Sequence, residues 1–197
     1  MMSRHIEPFL FDCVYLDDFP VISNTIDILN NDLEFTRFGS LKPGYTHFFV
    51  DDWRLESVWR DPLYMLDRAF NSRIVTAPDF SIFPDYPFPL SLYQVWRSRY
   101  VAYWWQINGV QVVPVLQWTH SKDPNLTRYF DGLKNCAVVA VRSPTRTAVD
   151  DWLKCIDFFQ SLNPKTHILH FGLKRQIKYA NNHTFLKLNK KLKTLHV

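Results

Sequence analysis

Glycine is scarce in this chain, five residues in 197. That leaves nothing from which to build a glycine-rich phosphate cradle, and Walker, GxSxG and HExxH signatures are likewise missing. Cysteine is rarer still. Cys13, Cys136 and Cys155 make an odd set with no CxxC spacing, which excludes a disulfide framework or a zinc cluster and points to buried free thiols in a reducing compartment. No apolar run reaches the roughly 18–20 residues that span a bilayer. The opening Met-Met-Ser-Arg-His-Ile-Glu-Pro has neither the apolar region nor the small-residue cleavage site of a signal peptide. The expectation is a cytoplasmic protein without membrane partners. Glutamate is almost absent, three residues against 16 aspartates, and no acidic residue of either kind follows Asp157.

What is present is apolar and aromatic. Hydrophobic residues make up 47% of the chain and aromatics 16%, with 16 Phe and seven Trp; a packed core follows and global disorder does not. The length suits a single α/β domain over 1–172, less regular in 1–44, followed by a basic segment at 173–197. Beyond Asp157 the chain carries Lys165, Lys174, Arg175, Lys178, Lys187, Lys190, Lys191 and Lys193, so the preceding part is mildly acidic, with 15 basic against 19 acidic residues. Such a segment is a handle for nucleic acid through Lys174, Arg175, Lys178, Lys187, Lys190, Lys191 and Lys193, or for a host protein. The plainer alternative is a solvated, partly helical end.

Five apolar runs end on or near polar side chains: 47–52, 73–79, 110–118 with His120 beyond, 136–142 and 166–170. Helix-like segments separate them. Asp61-Pro62 suits a helix start, with Leu63, Leu66 and Phe70 on one face. Four prolines within 78–89 favour a stiff, extended path, and Pro89 opens a helix over 90–107 whose apolar stripe would cover a sheet. Asp123-Pro124 starts a short helix through Phe130, and a longer one lies near 147–162. Strand–helix alternation predicts a mostly parallel sheet of five to six βα units, either an incomplete (β/α) barrel or an open doubly wound sheet. Phe9–Tyr15 is a further strand candidate and Ile22–Leu33 a short helix or loop.

The text from Tyr45 to about Arg175 resembles a phage- and mobile-element-associated family, domain of unknown function 4417. The resemblance lies in His47-Phe48-Phe49-Val50-Asp51-Asp52, Trp59, Pro62, Pro78-Asp79-Phe80-Ser81, Pro87, Arg97-Ser98-Arg99, and Gly109 to Pro114 running into Trp118. It implies an α/β domain and a phage, plasmid or prophage setting, hence the cytoplasm of an infected or carrier cell. It implies no chemistry.

Parallel sheets collect ligand-handling residues at the carboxyl ends of their strands. Asp51 and Asp79 hold corresponding places in successive units, and neighbouring strands lie roughly 4.8 Å apart. Paired strands would let the two carboxylates share a divalent ion such as Mg²⁺ or Mn²⁺. Arg142 would grip phosphate, His170 and Asp79 would move protons, and Trp118 would stack on a base or sugar ring. Phosphoester chemistry is the reaction class this set predicts. Each residue also has a structural reading. Asp52 is a helix N-cap, Asp79 a turn former, His170 a core histidine and Trp118 core filler. Arg142 would pair with Asp150 or Asp151. Arg97 and Arg99, two apart on a helix, face different ways and favour separate ion pairs with Asp residues over a joint clamp.

Overall fold

The computed structural model describes residues 15–16, 19–26, 34–40, 45–62, 65, 74–133, 135–144, 148–172 and 182–186. It is a mixed α/β structure with parallel sheets. Short strands come first among the described residues: β1 (Tyr15–Leu16) pairs antiparallel with β2 (Phe19–Pro20), and β3 (Ser23–Asn24) follows. Four parallel neighbours follow in chain order: β4 (Phe35–Arg37), β5 (Tyr45–His47), β6 (Ile74–Thr76) and β7 (Gln111–Val113). Beyond them β8 (Asn135–Cys136) pairs with β3, while β9 (Val138–Arg142), β10 (His167–Phe171) and β11 (His183–Leu186) form a second parallel sheet.

A parallel bridge from Val115 to Ala140 joins the two sheets, with Leu116 N donating to Ala140 O and Ala140 N to Pro114 O, both at 2.8 Å. The strands of the two sheets, from β4 to β11, therefore lie side by side in chain order. No pairing closes β11 onto β4 among the described residues. Asn24 clips the row where the two sheets meet. Its Nδ2 donates to Val112 O and Val138 O, and its Oδ1 accepts from Val138 N.

The strands are apolar because both faces are covered. Ile74 to Thr76 and Val138 to Val141 are buried throughout. Helix α1 (Asp52–Arg60) ends where Asp61 N donates to Ser57 O, so Asp61 closes that helix. Most of the helix expected after Pro62 lies outside the described residues. Helix α2 (Phe88–Ile107) has proline in its first turn, as the sequence predicts. It is sunk more deeply than a single apolar stripe implies: Ser98, Arg99, Tyr100, Val101, Ala102 and Trp105 are all essentially inaccessible, while the expected anchor Ile107 is 51% exposed. Leu126–Phe130 forms a single 3₁₀ segment, and α3 (Val149–Leu162) buries Trp152, Cys155, Ile156 and Phe159. Two strands of the parallel row have no counterpart in the sequence reading. One is β4, in a region of weak periodicity. The other is β11, which sets a strand inside the basic segment. Cys136 and Cys155 are buried free thiols, and burial pushes both up to about 12. No helix among the described residues is long and apolar enough to cross a membrane.

Candidate functional site at the carboxyl ends of the strands

The proline-rich stretch after β6 is held from two sides. Asp52, the first residue of α1, accepts from Ser81 N at 3.1 Å and Ser81 Oγ at 3.0 Å. Opposite, Gln117 Nε2 donates to Phe80 O at 2.6 Å. Arg97 adds a lid of charge on Phe80, its guanidinium 3.9 Å from the ring centroid while it pairs with Glu56 at 2.6 Å. Asp52 is thus a strut for the loop, and the N-cap position falls to Asp51, which makes no side-chain cap bond.

Between these fixings opens a cavity of about 260 Å³. Its wall consists of residues 79–83, Leu116 to Trp118 beyond β7, Val141 and Arg142 at the end of β9, and Trp152 of α3. Asp79 stands partly buried in that wall. Loss of hydration drives its pKa from 3.8 up to about 7; Arg142 opposes the rise and Asp52 adds to it. Arg142 is exposed and makes no hydrogen bond or ion pair among the described residues; its guanidinium acts on both Asp79 and His47. The alternative pairings with Asp150 and Asp151 do not form. Asp151 instead accepts from Ser121 N and Oγ. Trp118 is half-buried, its ring 6.4 Å from that of Trp152 and 6.3 Å from Phe130.

Asp79, Arg142 and Trp118 therefore meet in one cavity, whereas Asp51 and His170 are not in its wall. Asp51 is exposed and sits 3.6 Å from Arg37. The second carboxylate beside Asp79 is that of Asp52, which has the Ser81 contacts to satisfy. Among the described residues no three His, Cys, Asp or Glu side chains group as metal ligands. His170 lies on β10 with no exposure, against Trp152 and Phe185, and its Nε2 is 2.8 Å from Nδ1 of His183. Burial takes its pKa down to about 3, with His183 and His167 adding to the fall. Lys174, Arg175, Lys178, Lys187, Lys190, Lys191 and Lys193 lie outside the described residues.

A family model described as "Domain of unknown function (DUF4417)" matches residues 32–187. The chain belongs to the DUF4417 family. Among similar proteins is the "Gene 1 protein" of Mycobacterium phage D29, 35% identical over 107 residues that make up 54% of this chain and 38% of that protein. The "Gene 1 protein" of Mycobacterium phage L5 is 36% identical over 101 residues, 51% of this chain and 43% of its own length. The DUF4417 chain thus aligns with less than half the length of either phage protein. No solved structure matches it.

Several residues of this site carry little signal in the sequence. Gln117 interrupts an apolar run just before Trp118, a polar break that marks a strand end. Trp152 reads as one more apolar helix position, and Ser81 matters only through Asp52, 29 residues away. His47 is the strongest omission. It ends β5, is 1% exposed, and neither ring nitrogen has a hydrogen-bond partner. Burial, with Arg37 and Arg142 nearby, brings its pKa down to about 4.

Proposed function

We propose that the DUF4417 chain binds a phosphate-bearing ligand in the cavity at the carboxyl ends of its parallel strands. Arg142 grips the anion and Asp79 transfers protons in phosphoester chemistry. The observation that carries this reading is the joint placement of Asp79 and Arg142 in one cavity wall, with the guanidinium uncommitted among the described residues. A guanidinium offers paired donors to phosphate. A carboxyl that titrates near neutrality suits acid–base work there. Calorimetric titration of the full chain with inorganic phosphate tests the grip: Arg142→Ala should weaken binding at least tenfold. Asp79→Asn should leave phosphate bound and abolish hydrolysis of a phosphodiester probe such as bis(p-nitrophenyl) phosphate. Equal phosphate binding by wild type and Arg142→Ala would sink the proposal.

The strand row fits an incomplete barrel better than a doubly wound sheet. A doubly wound sheet reverses its strand order at a switch point, and the order from β4 to β11 has no reversal. Phe171 of β10 also reaches across to Phe35 of β4, 5.1 Å between centroids, and to Phe49 at 4.8 Å. A barrel-like arrangement brings early and late strands together in this way.

A second reading rests on the eight basic residues that follow Asp157 without an acidic neighbour. In it the segment binds nucleic acid, with or without chemistry in the cavity. Because β11 falls inside the segment, truncation would strip an edge from the sheet. Replacing Lys187, Lys190, Lys191 and Lys193 with Gln is the cleaner test. The salt dependence of oligonucleotide binding should flatten by about 0.7–0.9 in log–log slope for each phosphate that the variant no longer neutralises. An unchanged slope would remove this reading.

A further inference from the structure

Arg142 has a counterpart at the carboxyl end of another strand. Arg37 is the last residue of β4 and the register partner of His47, the last residue of β5. Arg142 is the last residue of β9 and the register partner of Phe171, the last residue of β10. The rings of His47 and Phe171 meet at 5.6 Å between centroids, and both are essentially inaccessible. Register partners on neighbouring parallel strands lie roughly 4.8 Å apart, so Arg37, His47, Phe171 and Arg142 form one arc across the strand ends. Each guanidinium is near enough to the middle of that arc to lower the pKa of His47, which is neutral at pH 7. The arc is an uncharged floor with a cation at either end.

Both cations are within reach of a ligand. Arg142 is exposed and stands in the cavity wall. Arg37 lies outside that wall with its side chain 24% exposed. Its partner Asp51 is 3.6 Å away and 69% exposed, a long, solvated pair of the kind that holds its members weakly. Asp52 is occupied with Ser81, and burial leaves Asp79 protonated up to about pH 7. The cavity itself, about 260 Å³, is near the lower end of ligand volumes. An anion that touches both arginines must therefore continue out of it. Phe83 adds an apolar surface on the way: it is in the wall, 49% exposed, with Tyr86 packed edge-on at 5.1 Å. Cations that follow a backbone, set beside an aromatic face, are the means by which proteins hold single strands. A plain polyphosphate has no use for the ring.

We propose that the strand-end site takes single-stranded nucleic acid, with Arg142 on one phosphate, Arg37 on the next along the strand and Phe83 against a base. This rests on the phosphate reading and names its substrate class. The strand is single because a base must leave its stack to lie on a side chain.

The test is calorimetric titration of the full chain with inorganic phosphate, pyrophosphate, thymidine 5′-monophosphate and 5′-phosphorylated dithymidylate. The dithymidylate should bind tenfold or more tightly than the mononucleotide. Arg37→Gln should erase most of that ratio and leave phosphate and mononucleotide affinity in place, whereas Arg142→Ala should weaken all four probes. Asp51→Asn, which releases Arg37, should raise dithymidylate affinity; a purely structural ion pair would make both Arg37→Gln and Asp51→Asn lower it. Phe83→Ala should weaken dithymidylate about fivefold and leave pyrophosphate unaffected. The same ratios should hold with Lys187→Gln, Lys190→Gln, Lys191→Gln and Lys193→Gln combined, which separates this site from the basic segment. If dithymidylate and mononucleotide bind the wild type equally, the second contact is overturned and the phosphate reading stands. If Arg37→Gln weakens pyrophosphate as much as dithymidylate, the arginines hold a diphosphate and the nucleic-acid assignment is overturned. If no probe binds, both readings are overturned.

Discussion

Asp79 should make this protein lose stability as pH rises through a range where most proteins are indifferent. Its folded pKa is raised to about 7 from 3.8, chiefly by loss of hydration. Between those values the unfolded chain has released the proton and the folded chain has kept it. The folded state therefore binds more protons, and stability falls with pH at about 1.36 kcal/mol per unit until the folded group ionises. From pH 5 to pH 8 the full effect is about 2.6 kcal/mol, and the partial exposure of Asp79 screens it to about 2 kcal/mol. Histidines act oppositely: His47 and His183 have pKa values lowered to about 4 and His170 to about 3, so they add stability as pH rises towards 6.5. The comparison must therefore be a difference. Urea unfolding of wild type and Asp79→Asn at pH 5 and pH 8 cancels the histidines. The stability of wild type relative to the variant should fall by about 2 kcal/mol across that span. Arg142→Ala should push the transition to higher pH, because Arg142 is the group that holds Asp79 down. Parallel pH curves for wild type and Asp79→Asn would refute the reasoning.

His47 is buried between Phe49 and Phe171 with neither nitrogen paired, so His47→Leu should be neutral or stabilising at pH 8. At pH 5 the variant should gain by a further about 1–2 kcal/mol, because unfolding no longer takes up a proton there; equal thermal shifts at the two pH values would contradict this. Gly132 has φ +79° and an added Cβ would lie 2.4 Å from Pro20 O. Gly132→Ala should destabilise by about 2–3 kcal/mol, read from urea midpoints, since strained φ and backbone collision combine. A loss below about 0.5 kcal/mol would mean that β2 moves aside freely.

The strands that periodicity exposes are those with long apolar runs. Val138–Arg142 and His167–Phe171 each give five consecutive strand residues, buried almost throughout, and an uninterrupted apolar run is what a twice-covered strand requires. Phe35–Arg37 is only three residues, and no pattern is statistically visible at that length. Yet it supplies Arg37, which engages Asp51 and lies near His47. A strand too short to be read in the sequence thus supplies the ion-pair partner of Asp51. The basic segment poses the opposite difficulty: its lysines dominate the pattern, while His183–Leu186 pairs with β10 through backbone groups that side-chain polarity does not report.

The same distinction runs through the site. Position along a strand is a local property, so Asp79, Arg142 and Trp118, each at a strand's carboxyl end, are legible as neighbours once a parallel row is inferred. Direction and partner are not local. Arg97 and Arg99 are two residues apart on α2 and do face different ways, but the sequence does not name their partners. Arg97 takes Glu56 rather than an aspartate. Arg99, with no exposure, donates to Val115 O at 2.8 Å and carries its charge into the core, where burial lowers its pKa only to about 10. It stays charged at neutral pH because the carbonyls take the place of water. His170 shows the same limit from the other side. Its register partner on the next strand is Val141 and its ring packs against Trp152, both in the cavity wall, yet His170 itself is fully buried and outside that wall. Sequence places His170 at its strand end and leaves its neighbours undetermined, and it is the packing of Trp152 and Phe185 against the ring that makes this histidine core rather than site.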